Sequence, residues 1–426
     1  MKQHILQSLI WGSILLFSTC SISVAETRTS THDSSLIKRG EYLSRVGDCM
    51  ACHSVEGQDQ YSGGLAIKSD LGVIYSTNIT PDKKVGIGNY TEQQFADAVR
   101  LGIRADGSHL YPAMPYPDYA KVSDDDIHAL YAYFMNKVPA SDHQPQQTDL
   151  NFPFNQRWGM MFWNWAFGND KPFVPLKGVS QEINRGAYLV QGLGHCGSCH
   201  TPRGIGMQEK GYDDTSSSFL AGGELNGWNV PSLKGIPHWS KKELVEYLKT
   251  GRNDKAGVAG EMTSVIFNST SHMTDQDLND IASYLKYLGG EQPATNKPNP
   301  SDVDATTEKL TKAKNLTLGE RLYLDNCGAC HFVDGKGAPK AFPQLDGATV
   351  VNANNPSALI SVILHGAQLP STAAAPSQLM MPGFSERLND KEVAELATFL
   401  RSAWGNNAEK VTPSQVQAVR STTHSE

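Results

Sequence analysis

The chain has 426 residues, a net charge of −7 and 39% hydrophobic residues. That length suits two to four domains at roughly 100–200 residues each. The mild acidity, with no block of basic residues anywhere, argues against a nucleic-acid partner.

The N-terminus reads as an export signal occupying residues 1–25. Lys2 is a short positive region, Ile5 to Phe17 is apolar apart from Gln7, Ser8 and Ser13, and Ser23-Val24-Ala25 fits a small-residue cleavage site. The apolar run is too short to span a bilayer, which takes ~20 residues. Phe17-Ser18-Thr19 before Cys20 is too bulky and polar for a good lipoprotein site, so simple cleavage is expected to discard Cys20. No later segment is apolar enough to span a membrane.

Three repeats follow. Each begins with a helix-like segment, Arg39-Gly40-Glu41-Tyr42-Leu43, Arg185-Gly186-Ala187-Tyr188-Leu189 or Leu318-Gly319-Glu320-Arg321-Leu322. The shared glycine allows the close backbone approach that helix crossings need. Shortly after each comes the same pentapeptide pattern: Cys49-Met50-Ala51-Cys52-His53, Cys196-Gly197-Ser198-Cys199-His200 and Cys327-Gly328-Ala329-Cys330-His331. Cys-x-x-Cys-His is the attachment site of c-type haem. The thiols form thioethers with the haem vinyls and the histidine becomes the proximal iron ligand. Three copies using six of the seven cysteines predict three covalently bound haem c groups and a role in moving electrons.

Each repeat closes with an amphipathic helix. Ser123 with Asp126 and Thr274 with Asp277 read as capping boxes, and Asn389 with Glu392 has the same spacing. Apolar residues then recur at helical intervals: Ile127, Leu130, Tyr131 and Phe134; Leu278, Ile281, Leu285 and Leu288; Val393, Leu396, Phe399 and Leu400. A helix at each end with haem between predicts a mainly α chain of three class I cytochrome c domains in tandem, at 35–140, 181–290 and 316–405.

The connectors differ. Residues 291–315 are polar and aperiodic and read as an extended linker; residues 406–426 read as a polar tail. Residues 141–180 hold Phe152, Phe154, Trp158, Phe162, Trp163, Trp165 and Phe167. Rings at this density mainly form core, so packing against the first two domains is the favoured expectation. A docking surface for a partner or a membrane interface is the alternative.

A haem with methionine as sixth ligand is closed to substrates and raised in potential; with histidine alone it is open to catalysis. In class I domains the methionine lies before the last helix. Met114, followed by Pro115, occupies that place in repeat one; Met381, followed by Pro382, is preferred to Met380 in repeat three; Met262 is preferred in repeat two to Met273, which directly abuts the cap Thr274. A lone methionine ordinarily fills core, but the recurrent position favours ligation. His109, His272 and His365 are rival ligands whose ordinary role is on the surface. Pro202, Pro231 and Pro343 each follow an attachment motif; turn formation is their ordinary role, and a carbonyl beside one is a potential acceptor for the axial imidazole N–H. Arg203 and Trp228 are candidates for contacting haem propionates.

These motifs, together with Tyr75-Ser76-Thr77-Asn78-Ile79-Thr80-Pro81, Leu110-Tyr111-Pro112-Ala113-Met114-Pro115-Tyr116, Gly194-His195 through Thr201-Pro202-Arg203, and Met381-Pro382-Gly383-Phe384, resemble the trihaem cytochrome c subunit of bacterial membrane-bound dehydrogenases. The resemblance covers residues 35 to 405. It implies His53, His200 and His331 as proximal ligands, Met114, Met262 and Met381 as distal ligands, and no catalytic residue of the chain's own. It further implies a flavoprotein or quinoprotein catalytic subunit that oxidises an alcohol, sugar or sugar acid such as gluconate. A small third subunit, ubiquinone as acceptor, and a peripheral position on the periplasmic side of the inner membrane complete the expectation. Several relatives end in an apolar or amphipathic anchor, whereas this chain ends in polar residues. The competing readings are a free periplasmic electron carrier and a haem peroxidase, the latter needing one five-coordinate iron.

Overall fold

The computed structural model describes residues 22–289, apart from 226, 235, 237 and 238, and residues 300–421; the side chains of 22–32 and 300–304 fall outside the description. Cys20 and most of the expected export signal therefore lie outside the described residues.

Each repeat is built on a crossed pair of helices. The opening helices are Ile22–Val46, Gln181–Gln191 and Leu318–Asn326, and the closing helices are Asp124–Asn136, Asp275–Gly289 and Asp390–Ser402. They cross where Gly40, Gly186 and Gly319 stand. A Cβ at these positions would overlap the carbonyl oxygens of Ala129, Asp280 and Glu395 respectively, so only glycine lets the two backbones touch. The apolar stripes of the closing helices face inward as their spacing predicts: Ile127, Leu130, Phe134, Leu278, Ile281, Leu285, Val393, Leu396 and Leu400 are all buried. A third helix completes each unit, at Glu92–Leu101, Lys241–Thr250 and Ser357–His365. Strand is confined to short antiparallel pieces, among them Ala66–Ser69 with Gly72–Tyr75 and Ala367–Gln368 with Met380–Met381.

The first two units share one core. Leu43, Phe95, Leu130 and Phe134 from the first belong to the same buried cluster as Leu189, Leu193, Phe219, Leu278 and Tyr284 from the second. The third unit has its own core around Leu322, Tyr323, Ile360, Leu396 and Trp404. It meets the second through a small apolar cluster, Val258, Ile266 and Leu369 flanked by Tyr247, Met262 and Leu379. Polar bonds surround that cluster: Arg252 donates to the Ala375 and Ser377 carbonyls at 3.0 and 2.7 Å.

The seam between the first two units corrects one sequence expectation. Ser123 and Thr274 do cap their helices, accepting from the Asp126 and Asp277 amides at 3.3 and 3.1 Å. The two carboxylates, however, do not return to the cap backbone. A tyrosine hydroxyl from the other unit takes their place. Tyr188 accepts the Ser123 N–H at 3.1 Å and donates to Asp126 at 2.5 Å. Tyr42 accepts the Thr274 N–H at 3.3 Å and donates to Asp277 at 2.5 Å. Arg39 pairs with Asp126 and Arg185 with Asp277. The helix caps of each unit are thus finished by the other. Only Asn389 with Glu392, in the third unit, closes as the reciprocal capping box the spacing predicts.

Two connector expectations are also revised. Within the segment expected to be an extended linker, Pro300–Lys312 is a helix that buries Leu310 in the third core, with Lys309 paired to Glu320. Residues 290–299, ahead of this helix, lie outside the described residues. The segment expected to be a polar tail folds back as far as residue 421: the helix Pro413–Ser421 buries Val416, and Arg420 binds Asp390 and the Ser385 and Leu388 carbonyls.

Candidate haem-binding sites

Each Cys-x-x-Cys-His segment forms one helical turn, Cys49–His53, Gly197–His200 and Gly328–His331. A turn of helix sets residues three or four apart on one face, so both thiols and the histidine of a motif face the same way. None of the six cysteines of the three motifs is in a disulfide. Burial pushes Cys49, Cys196 and Cys327 up to about 12 and Cys52 and Cys199 up to about 11. These thiols are kept neutral rather than held as a metal-binding thiolate cluster. Among the described residues no group of three histidine, cysteine or carboxylate side chains converges to hold a metal ion.

The three histidines share a detail that decides their chemistry. His53 Nδ1 lies 2.6 Å from the Thr77 carbonyl oxygen, His200 Nδ1 2.8 Å from that of Pro231, and His331 Nδ1 2.8 Å from that of Pro343. A carbonyl only accepts, so each Nδ1 carries the proton and each Nε2 keeps its lone pair. Desolvation lowers the pKa of all three rings, which keeps them neutral. A neutral imidazole oriented through Nδ1–H, with Nε2 presented beside a pair of thiols, fits the proximal side of a covalent haem. The carbonyl-acceptor reading therefore holds at Pro231 and Pro343. The Pro202 carbonyl instead accepts from the Lys210 amide. In the first unit the acceptor is Thr77, which no proline marks; its neighbour Asn78, buried and bonded to the Ser141 and His143 carbonyls, fixes that stretch.

The methionine candidates stand in different settings. Met114 packs on the shared core from a tight loop in which the Tyr116 amide donates to its carbonyl at 2.8 Å. Tyr119, a little further on, donates to the Gly47 carbonyl at 2.7 Å beside the first attachment turn. In the short strand Met380–Met381 successive side chains take opposite sides: Met381 packs on the third core while Met380 is 75% exposed. Met262 opens the helix Met262–Asn268 and packs into the cluster between the second and third units. Met273 is buried in the shared core. His109 Nδ1 is engaged by the Asn164 amide at 3.1 Å and His272 Nε2 by the Phe267 carbonyl at 3.1 Å; His195 Nδ1 donates to the Leu193 carbonyl. Arg203 donates to the Ser198 carbonyl inside the second motif, and Trp228 lies against Gly260.

Between the first two sites lies a feature that sequence spacing does not reveal. Asp118, four residues past Met114, is fully buried and accepts from Ser198 of the second motif at 2.8 Å. Its other oxygen and Glu209 Oε2 are buried without a donor, and burial pushes both carboxyls up. Two adjacent buried carboxyls cannot both ionise, so the pair retains a proton and ties the first unit's methionine loop to the second unit's attachment turn. Nearby, the Tyr119 ring meets the His195 ring edge-on at 5.5 Å.

The connector at 141–180 is two-faced. Its helix, Met160–Phe167, turns Trp163, Asn164 and Phe167 inward. Trp163 donates to the Gly206 carbonyl at 2.7 Å, and Asn164 accepts from Tyr116 at 2.6 Å. Tyr212 donates to the Phe167 carbonyl, and Asn169 donates to that of Pro117. Packing against the first two units holds for this face. It fails for the other: Phe152, Phe154, Trp158, Phe162 and Trp165 are all exposed.

Comparison with known proteins bears on the whole chain. The cytochrome c family pattern matches three times, at residues 37–137, 183–289 and 316–404. The chain belongs to the cytochrome c family. Its mainly α architecture, with three such domains in tandem, is the one the motif spacing predicts, and domains of this family hold haem c covalently. The chain is 43% identical to the cytochrome c subunit of alcohol dehydrogenase (quinone) from Gluconobacter oxydans, over 97% of this chain and 88% of that protein. It is 42% identical to the gluconate 2-dehydrogenase cytochrome c subunit of Pantoea cypripedii, over 96% and 95%, and 38% identical to the fructose dehydrogenase cytochrome subunit of Gluconobacter japonicus, over 92% and 84%. No helix among the described residues is long and apolar enough to cross a membrane.

Proposed function

We propose that this chain is the electron-transfer subunit of a membrane-bound dehydrogenase acting on CH–OH donors. Three haem c groups held by this chain would supply the path from the catalytic subunit's flavin or pyrroloquinoline quinone to ubiquinone, on the periplasmic side of the inner membrane. The observation that carries the reading is the threefold recurrence of a thiol pair with an Nδ1-tethered histidine, on a chain similar over nearly its whole length to cytochrome subunits of such enzymes. Haem c supplies one-electron exchange at an iron whose potential its axial ligands set. The protein supplies the rest. Cys49 and Cys52, Cys196 and Cys199, and Cys327 and Cys330 would hold the ring edge, while His53, His200 and His331 present Nε2 in a fixed orientation. Met114, Met262 and Met381 would close the opposite side against substrates; their recurrent place ahead of each closing helix supports that assignment.

Relatives acting on an alcohol and on gluconate are equally similar, so identity does not choose the substrate or the donor cofactor. The test is purification of the tagged protein from detergent-solubilised membranes, with mass spectrometry and cofactor analysis. A stoichiometric flavoprotein or quinoprotein partner, with three haems per chain, is expected. Recovery alone from the soluble periplasm overturns the reading and leaves a free trihaem carrier. Replacement of Met114, Met262 or Met381, one at a time, is expected to lower one haem potential and open one iron to carbon monoxide; unchanged spectra and potentials overturn that ligand.

A further inference from the structure

The outward face of the connector is too apolar to be ordinary surface. Trp158, Met161, Phe162 and Trp165 recur at the spacing of one helical face, and they are 67%, 53%, 57% and 87% exposed. Phe152, 80% exposed, and Phe154 continue the patch toward the chain's N-terminal side. A second element joins it. The loop Arg203 to Glu209 is closed by a backbone bridge, and Trp163 holds its middle residue, Gly206. The residues either side of Gly206 are Ile205, 98% exposed, and Met207, also exposed. The helix and the loop tip are thus tied through Trp163 and Gly206, and each presents exposed apolar side chains.

The charge pattern of the patch narrows the occupant. The chain carries −7 overall, yet residues 150–168 contain no carboxylate and one cation, Arg157. Arg157 is already committed, donating to the His109 carbonyl at 2.8 Å and lying over the Tyr111 ring at 4.6 Å. A protein partner would be met by about one hydrogen bond per 100–200 Å² of contact, and this face, made of rings and thioethers, offers few donors or acceptors. Tryptophan and phenylalanine with no acidic neighbour suit the headgroup boundary of a bilayer, where apolar bodies enter and anionic lipid repels carboxylates.

We propose that this face seats the protein on a phospholipid surface. The inference rests on the reading that the chain works at a membrane. It places the Met114 loop, braced by Asn164 and Tyr116, at the bilayer side of the molecule. The triple variant W158S/F162S/W165S alters only outward side chains, and I205S/M207S tests the loop tip independently. The full-length, haem-loaded protein is mixed with vesicles of phosphatidylethanolamine and phosphatidylglycerol and the bound fraction measured by flotation. The unaltered protein is expected to bind. The triple variant should bind roughly tenfold or more weakly, and the loop variant less weakly than that, with haem absorbance unchanged in both. Equal binding by all three overturns the seat. Vesicle binding retained by the triple variant, with the copurifying dehydrogenase lost, also overturns it and marks the face as a protein interface. Vesicle binding of the unaltered protein without any copurifying dehydrogenase fails the subunit reading alone and leaves the seat standing.

Discussion

The first two units and the third share one plan but differ in how they meet their neighbours. In the first two, the residue two past the crossing glycine is tyrosine, Tyr42 or Tyr188, and the residue before that glycine is arginine, Arg39 or Arg185. In the third these places hold Arg321 and Leu318. The consequence is visible at the helix caps. Asp126 and Asp277 are drawn into bonds across the seam, whereas Glu392 turns back on its own cap. A shared core is sealed in the first case and a self-sufficient domain results in the second. Two side-chain changes in a repeat thus separate a fused pair from an appended unit.

Calorimetry of variants is the direct way to break this contrast. Asp277→Ala leaves Arg185 and Tyr42 without their partner at a largely buried seam. Loss of such a charged hydrogen-bonded group costs about 2–4 kcal/mol, and the transition of the fused pair should fall while that of the third unit stays. If both transitions fall together, the third unit is not independent. Asp277 is the right target because, although burial opposes it, bonds from Arg185 and Tyr42 hold its carboxyl below the usual range.

Alkaline pH should separate the units again. Burial and the neighbouring Asp118 raise Glu209 to about 10. The folded pair is protonated where the unfolded chain is ionised, so its stability is fully present at acid pH and declines as pH rises from the ordinary glutamate range toward about 10. In the third unit Glu308 is instead pulled down by its partner Lys312, and Glu320, although burial opposes it, by its partner Lys309. The fused pair should therefore lose melting temperature at alkaline pH relative to the third unit, and Glu209→Gln should lessen that slope, leaving the part due to Asp48, which burial raises to about 8. An unchanged slope in the variant would remove the carboxyl pair as its cause.

Smaller effects sharpen the picture. Tyr42→Phe and Tyr188→Phe each remove one hydroxyl that serves a cap and a carboxylate, for about 1–2 kcal/mol apiece; because Arg185 binds Asp277 and lies 5.5 Å from the Tyr188 ring centre, the two bonds share a network and the double variant should depart from additivity. Lys340→Ala breaks a largely exposed pair with Glu246 between the second and third units; such pairs are worth under about 1 kcal/mol, and denaturation curves should barely move.

Much of this was legible in the residues. The attachment turns, the crossing glycines and the inward stripes of the closing helices follow from local spacing and were found where that spacing places them. The seam was not, because Tyr42 and Asp277 are 235 positions apart and nothing local says whose tyrosine finishes which cap. The same limit hid the Asp118–Glu209 pair. The aromatic connector was half legible: its residues alternate between two helical faces, but deciding which face is covered needs the neighbours, here Gly206, Tyr116 and His109. Proline marked two of the three imidazole acceptors, and Thr77 had no such flag.

The tyrosine exchange at the seam also has a kinetic meaning. Tunnelling rates fall exponentially with the gap an electron must cross, so a pair of redox centres keeps a constant rate only if its supports cannot shift. With each unit's helix cap finished by the other, the first and second supports are held as one piece, so any hop between haems bound there would be timed by geometry set at folding. The third unit is joined through a smaller apolar contact and a rim of single polar bonds. Any modulation of throughput by partner or membrane would enter there.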